Sequence, residues 1–171
     1  MNPVGWPAHL ESVPVLSIRP ALPGDTALLK TLIHEFAQFE HDQARITEEE
    51  LLRDGFGSQP KFRALIAEWD AQPAGYAVFF DCYSTFRGPG LFLEDIYIRP
   101  KYRGKSIGKA LLARIATIAC EAGCFGVVFN VMNWNRPAID FYKKLGASFW
   151  DEWKVLCLEE PALRALAQEN T

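Results

Sequence analysis

Apolar residues recur at helical spacing along several stretches of the chain. Ala27, Leu28, Leu32, Ile33, Phe36 and Phe39 fall on one side of a segment whose other side carries Lys30, His34, Glu35, Gln38 and Glu40. That pattern predicts an amphipathic helix, with Asp25 placed to cap it after a turn over Pro20 to Asp25. Ile107, Leu111, Leu112, Ile115, Ile118 and Ala119 predict a second amphipathic helix that Gly123 closes. Thr47, three residues before Glu50, forms a capping box that opens a short helix through Leu51 and Leu52 towards Gly55. Pro137 to Leu145 predicts a helix stopped by Gly146.

Between these stretches the period changes. Leu16 to Arg19 predicts a first strand, and Phe62 to Trp69 with Ala74 to Cys82 predicts a β-hairpin turning at Gln72-Pro73. Tyr83 to Gly90 reads as a loop. Leu91 to Ile98, LFLEDIYI, is aromatic and β-branched like a strand, and Gly126 to Val131 predicts another. Phe149 to Leu158 is expected to finish the sheet. Strands alternating with helices describe an α/β or α+β protein with helices packed on its sheet.

The length of 171 residues accommodates one compact domain, expected over 16–171 after an N-terminal extension over 1–15. With 49% hydrophobic and 23% charged residues the chain can fill a core, which excludes a largely disordered protein. No apolar run is long enough to span a bilayer, and Met1 to Val15 has three prolines and no Lys or Arg. The expectation is a cytoplasmic protein whose Cys82, Cys120, Cys124 and Cys157 are reduced. Cys120 and Cys124 share a helical face without a neighbouring His, so they are expected to pack in the core and no metal is expected.

Net charge is -3, which argues against a nucleic-acid partner and, with no spanning segment, no membrane partner is expected. Its distribution is uneven. Arg99, Lys101, Arg103, Lys105 and Lys109 lie together without an acid, leaving -8 on the rest of the chain. The segment Tyr102-Arg103-Gly104-Lys105-Ser106-Ile107-Gly108 leads from a strand into a helix start, where free N–H groups and glycines suit a pyrophosphate; the alternative is a solvated loop. A P-loop would need glycine at Arg99, and a dinucleotide fingerprint would need a different glycine register.

Arg103-Gly-Lys-Ser106-Ile-Gly108 resembles the acetyl-CoA motif of the GNAT acetyltransferases, with Ser106 where that family usually has glycine. Serine keeps the backbone cradle there if its φ is negative. Asp54-Gly-Phe-Gly57, Leu93-Glu-Asp-Ile-Tyr97, Tyr102-Arg-Gly104, Trp134-Asn135, Phe141-Tyr142 and Gly146-Ala147 are similar, in order, to the spermidine/spermine branch, which includes thialysine acetyltransferases. The resemblance implies a mixed sheet splayed at the cofactor, with helices on both faces. It also implies a homodimer and direct acetyl transfer to a primary amine of a small diamine, polyamine or thialysine-like substrate.

By that resemblance, acetyl-CoA is contacted by Ile96, Tyr97, Ile98, Arg103, Gly104, Lys105, Ser106, Ile107, Gly108, Lys109, Asn135, Pro137, Ala138 and Tyr142. Phe39, Glu40, Glu94, Phe129, Glu152 and Trp153 are implied on the amine side. An alkylammonium, with pKa near ~10.4, must lose a proton before it attacks, a task that falls to Glu94. Alternation sends Glu94 and Asp95 to opposite faces, so one of them can face the cleft. Tyr142 is the implied acid for the leaving thiolate, and Phe141 the core residue beside it. The plainer alternatives are a salt-bridged strand acid for Glu94, a core aromatic for Tyr142 and a helix cap for Asn135. Polyamine enzymes resemble Asp-Pro-Trp before Leu91, whereas this chain has Tyr83-Ser84-Thr85-Phe86, which favours a short diamine or a lysine-like amino acid. The competing classes are a catalytically weak acyl-CoA-binding module on the same fold and a protein-tail acetyltransferase.

Overall fold

The computed structural model describes residues 14–169, which fall into two compact units divided after Asn130. The first unit carries a five-stranded sheet in the order β1-β2-β3-β4-β5: β1 (Leu16–Pro20), β2 (Arg63–Trp69), β3 (Gln72–Ser84), β4 (Gly88–Ile98) and β5 (Val127–Phe129). The first four strands pair antiparallel and β5 runs parallel to β4, so the sheet is mixed.

Helices α1 (Thr26–Phe39) and α2 (Glu48–Phe56) cover one face, and α3 (Ile107–Glu121) covers the other. Leu29, Leu32 and Leu51 pack with Ala64, Ile66, Tyr76, Val78 and Tyr97 on the first face. Ile107, Leu111, Ile115 and Ala119 pack with Leu65, Ala77, Phe79, Leu91 and Leu93 on the second. Successive residues along β3 thus divide between two cores, as strand alternation requires.

The Thr47 capping box forms in both directions: Glu50 N–H donates to Thr47 Oγ1 at 3.2 Å, and Thr47 N–H donates to Glu50 Oε2 at 2.9 Å. Asp25 stands at the expected start of α1, but its carboxylate accepts from the Arg19 guanidinium at 2.7 and 3.0 Å and from Leu22 N–H. It ties β1 to the turn rather than capping the helix. The hairpin turns at Asp70-Ala71, both at positive φ, two residues earlier than Gln72-Pro73, and Pro73 sits inside β3 beside a bulge. The expected loop 83–90 shrinks to a tight turn because β3 runs to Ser84 and β4 starts at Gly88.

The second unit contains α4 (Arg136–Lys144) and α5 (Glu160–Gln168). The strand expected over Phe149 to Leu158 does not form, and those residues lie exposed, with a turn in which Trp153 N–H donates to Trp150 O. Strand propensity alone supplies no hydrogen-bonding partner. Cys120 is exposed and Cys124 lies beyond the end of α3, so the two do not share a buried helical face.

Candidate active site

Strand β4 loses one of its partners halfway along. It pairs with β5 at three positions, Leu91 with Val127, Phe92 with Val128 and Leu93 with Phe129, and then continues alone on that side to Ile98. From Glu94 to Ile98 the only strand beside β4 is β3, so one edge of this stretch is free of a strand partner among the described residues. A second extended chain can add to such an edge.

At the point of splaying, β4 carries a bulge. Val78 stands opposite Asp95 and Phe79 opposite Leu93, which leaves Glu94 without a cross-strand partner. The extra residue breaks the alternation. Leu93 and Ile96 both pack on the α3 face although they are three residues apart, while Asp95, opposite Val78, joins Tyr76 and Tyr97 on the α1 face. The bulge interrupts the regular alternation on which the expectation of opposite faces rests; Asp95 lies on the α1 face, and Glu94 is exposed.

The basic loop follows. Ser106 stands at the N-cap of α3 with φ 61° and ψ 12°, in the left-handed region, so the condition of a negative φ set for the serine is not met. Its side chain makes no capping hydrogen bond, so the first-turn N–H groups stay available. Gly104 has φ +77° and nothing within 4 Å of where a Cβ would stand. Lys105 and Lys109 are exposed, Ile107 is buried in the α3 core, and Gly108 is half-buried. The free edge of β4 with Ile96, Tyr97 and Ile98, the open glycine and the exposed Lys109 and Lys105, the latter with its ammonium 4.7 Å from the Trp69 ring centre, fit an acyl-CoA, whose pantetheine needs backbone partners and whose pyrophosphate needs N–H groups and cations. Arg99 is the exception in the cationic run. It donates to both Glu35 carboxylate oxygens at 2.9 and 2.7 Å and to Pro73 O, locking α1 to the sheet.

Arg103 turns towards the end of α1. Its Nε donates to Ile98 O at 3.0 Å, and its guanidinium carbon lies 4.6 Å from the Phe39 ring centre and 6.0 Å from that of Tyr97. Glu40, next to Phe39, has its carboxyl pushed up by burial and then by Asp42. Asp95 is pushed up to about 6, chiefly by burial, with Glu94 and Glu40 adding to the rise and the Tyr76 hydroxyl opposing it. The structure thus brings Phe39, Glu40, Glu94, Tyr97 and Arg103 into one neighbourhood, with Phe129 at the end of β5. Sequence reasoning weighed Asp95 only as the partner of Glu94 and missed Tyr76, whose hydroxyl donates to Asp95.

In the second unit, Asn135 Oδ1 accepts from Ala138 N–H at 3.2 Å and so caps α4, with Pro137 in its first turn. Tyr142 is buried at 9% exposure while Phe141 is half-buried, their ring centres 5.2 Å apart, which reverses the expected division between them. Glu152 is exposed, and Trp153, 73% exposed, lies 6.5 Å from Trp150 between ring centres.

Residues 26–147 match the Acetyltransferase (GNAT) family. The chain is 39% identical over 163 residues to the thialysine N-epsilon-acetyltransferase of Bos taurus, covering 88% of this chain and 96% of that one. It is 37% identical over 171 residues to spermidine/spermine N(1)-acetyltransferase-like protein 1 of Homo sapiens, covering 93% of this chain and 25% of the longer relative. Its fold is similar to that of the aminoglycoside N-acetyltransferase AAC(6')-Iy in complex with CoA, with a TM-score of 0.70 at 18% identity, covering 89% and 99% of the two chains.

Proposed function

The chain belongs to the GNAT acetyltransferase family, and from that premise we propose that it transfers acetyl from acetyl-CoA to a primary amine of a short diamine or a lysine-like amino acid. The observation that carries the reading is the splayed β4, whose free edge and following basic loop suit the acyl donor while its bulge sets Glu94 and Asp95 at the point where the strands part. The similarity to thialysine and spermidine/spermine relatives supports a small amine as acceptor.

Acetyl-CoA supplies the activated acetyl group, held by the backbone of Ile96 to Ile98 and of Arg103 to Gly108, by Lys105 and Lys109, and by the start of α4 with Asn135, Pro137 and Ala138. Glu94 accepts a proton from the substrate ammonium, directly or through a water, and so frees the lone pair that attacks the thioester carbon. Tyr142 donates a proton to the sulfur as the carbon–sulfur bond breaks. Phe39, Glu40, Phe129, Glu152 and Trp153 serve the amine with carboxylates and aromatic faces. We take residues 16–171 as one acetyltransferase domain after an extension over 1–15, which lies almost entirely outside the described residues.

A homodimer in the cytoplasm completes the proposal. The apolar run Trp153, Val155, Leu156 and Leu158 is 51 to 93% exposed, a surface that a second copy would cover. No helix among the described residues is long and apolar enough to cross a membrane. The test is release of free thiol from acetyl-CoA by the purified protein with putrescine, thialysine, a lysine-containing peptide or no acceptor. Thiol release with a small amine is the expected result. Binding of acetyl-CoA without turnover would favour the binding module, and turnover with the peptide alone would favour a protein-tail enzyme.

A further inference from the structure

Tyr76 is fully buried, and its hydroxyl donates to Asp95 Oδ2 at 2.8 Å. No donor reaches the other oxygen, Oδ1, among the described residues, and no buried side-chain polar atom there lacks a hydrogen-bond partner. Oδ1 therefore opens to solvent from an otherwise enclosed carboxyl. Among the described residues no Lys, Arg or His lies within ion-pair distance of it; the charged groups acting on Asp95 are Glu94 beside it and Glu40 at the end of α1, both acids. A carboxylate so enclosed lacks the cation that burial of charge demands.

The neighbouring wall already holds one cation. Phe36 and Tyr97 lie 5.7 Å apart between ring centres, and Arg103 of the chain itself stands over Phe39 and Tyr97. Aromatic faces in this position accept positive charge. The bulge adds spacing. Glu94 and Asp95 are consecutive, with Cα atoms about 3.8 Å apart, the bulge breaks the alternation between them, and Glu94 is near enough to raise the Asp95 carboxyl.

Resting on the amine acetyltransferase reading above, we propose that Asp95 binds the second, non-reacting ammonium of a short diamine while Glu94 serves the reacting one, and that Tyr76 is a positioning residue that holds Asp95 in place and in its charged form. The pair makes the protein select a diamine over a monoamine of the same length.

The experiment measures kcat/KM for 1,4-diaminobutane and 1-aminobutane across pH 5.5 to 9, in wild type, Asp95→Asn and Tyr76→Phe. Wild type is expected to favour the diamine. Asp95→Asn should shrink that preference by at least tenfold through KM of the diamine, with the monoamine falling far less than the diamine, and an unchanged circular dichroism spectrum shows that the variant is folded. In Tyr76→Phe the hydroxyl that favours the anion is gone, so the rise of diamine preference with pH should move to higher pH and recover at the alkaline end. A merely structural role would lower both amines equally at every pH. The proposal is overturned if Asp95→Asn keeps the wild-type preference or loses both amines alike, or if Tyr76→Phe leaves the pH profile in place. Wild type that acetylates neither amine would instead overturn the functional reading.

Discussion

Replacing Ser106 by glycine relieves backbone strain at the centre of the cofactor loop. Ser106 has φ 61° and ψ 12°, and its side chain makes no capping bond. Holding a residue with a Cβ in the left-handed region costs roughly 1–2 kcal/mol, whereas glycine visits it freely. Glycine also gains freedom in the unfolded chain, which returns about 0.5–1 kcal/mol of that. The net expectation is a stabilisation of about 0.5–1 kcal/mol, or a rise in Tm of about 1–4 °C for a chain of this size. Ser106→Ala keeps the Cβ and should gain nothing. Because φ is unchanged, the N–H groups of Ile107 and Gly108 keep their direction, and acetyl-CoA should bind equally well or more tightly. Thermal unfolding and calorimetric titration of the three proteins decide it. A lower Tm for Ser106→Gly would refute the strain argument, and a tenfold weaker affinity, about 1.4 kcal/mol, would make the hydroxyl itself a phosphate ligand.

Tyr142→Phe should leave acetyl-CoA affinity nearly intact while lowering kcat by about 10²-fold, the lower end for a general acid, read by steady-state kinetics beside calorimetry. Glu94→Gln should depress kcat/KM most at low pH and recover partly as the amine loses its proton unaided; a profile parallel to wild type would demote Glu94 to a structural residue. Asp95 carries a stability prediction of its own. Its carboxyl titrates near 6 in the fold against 3.8 unfolded, so the fold favours the protonated form. That stability is present below pH 4 and is lost as pH rises through 6. Asp95→Asn should therefore stabilise the protein at pH 8 by about 1–3 kcal/mol and do nothing at pH 4, as denaturant titrations would show.

The helices were legible because local signals agree with tertiary packing. The α3 pattern around Leu111 and Ile115 faces a core, and Thr47 with Glu50 closes its box as the spacing requires. What the sequence hid came from contacts between distant residues. Asp25 looks like a cap, but Arg19 claims it. Nothing in Leu93 to Tyr97 announces a bulge, because the extra residue is defined only against β3. The positive φ at Ala71 and Ser106 is imposed by the strands and helix they join, against local preference. Phe149 to Leu158 has a strand's composition and no strand's pairing.

The central claim is that this chain acetylates a short diamine or lysine-like amine in preference to a long polyamine. The most direct test is a competition assay in which thialysine, 1,4-diaminobutane and spermine share one reaction with acetyl-CoA and the acetylated products are quantified by mass spectrometry. The account predicts that the short amines carry the larger kcat/KM, because Ser84 replaces the acid implied there by the resemblance to polyamine enzymes. A clear preference for spermine over both short amines would contradict it.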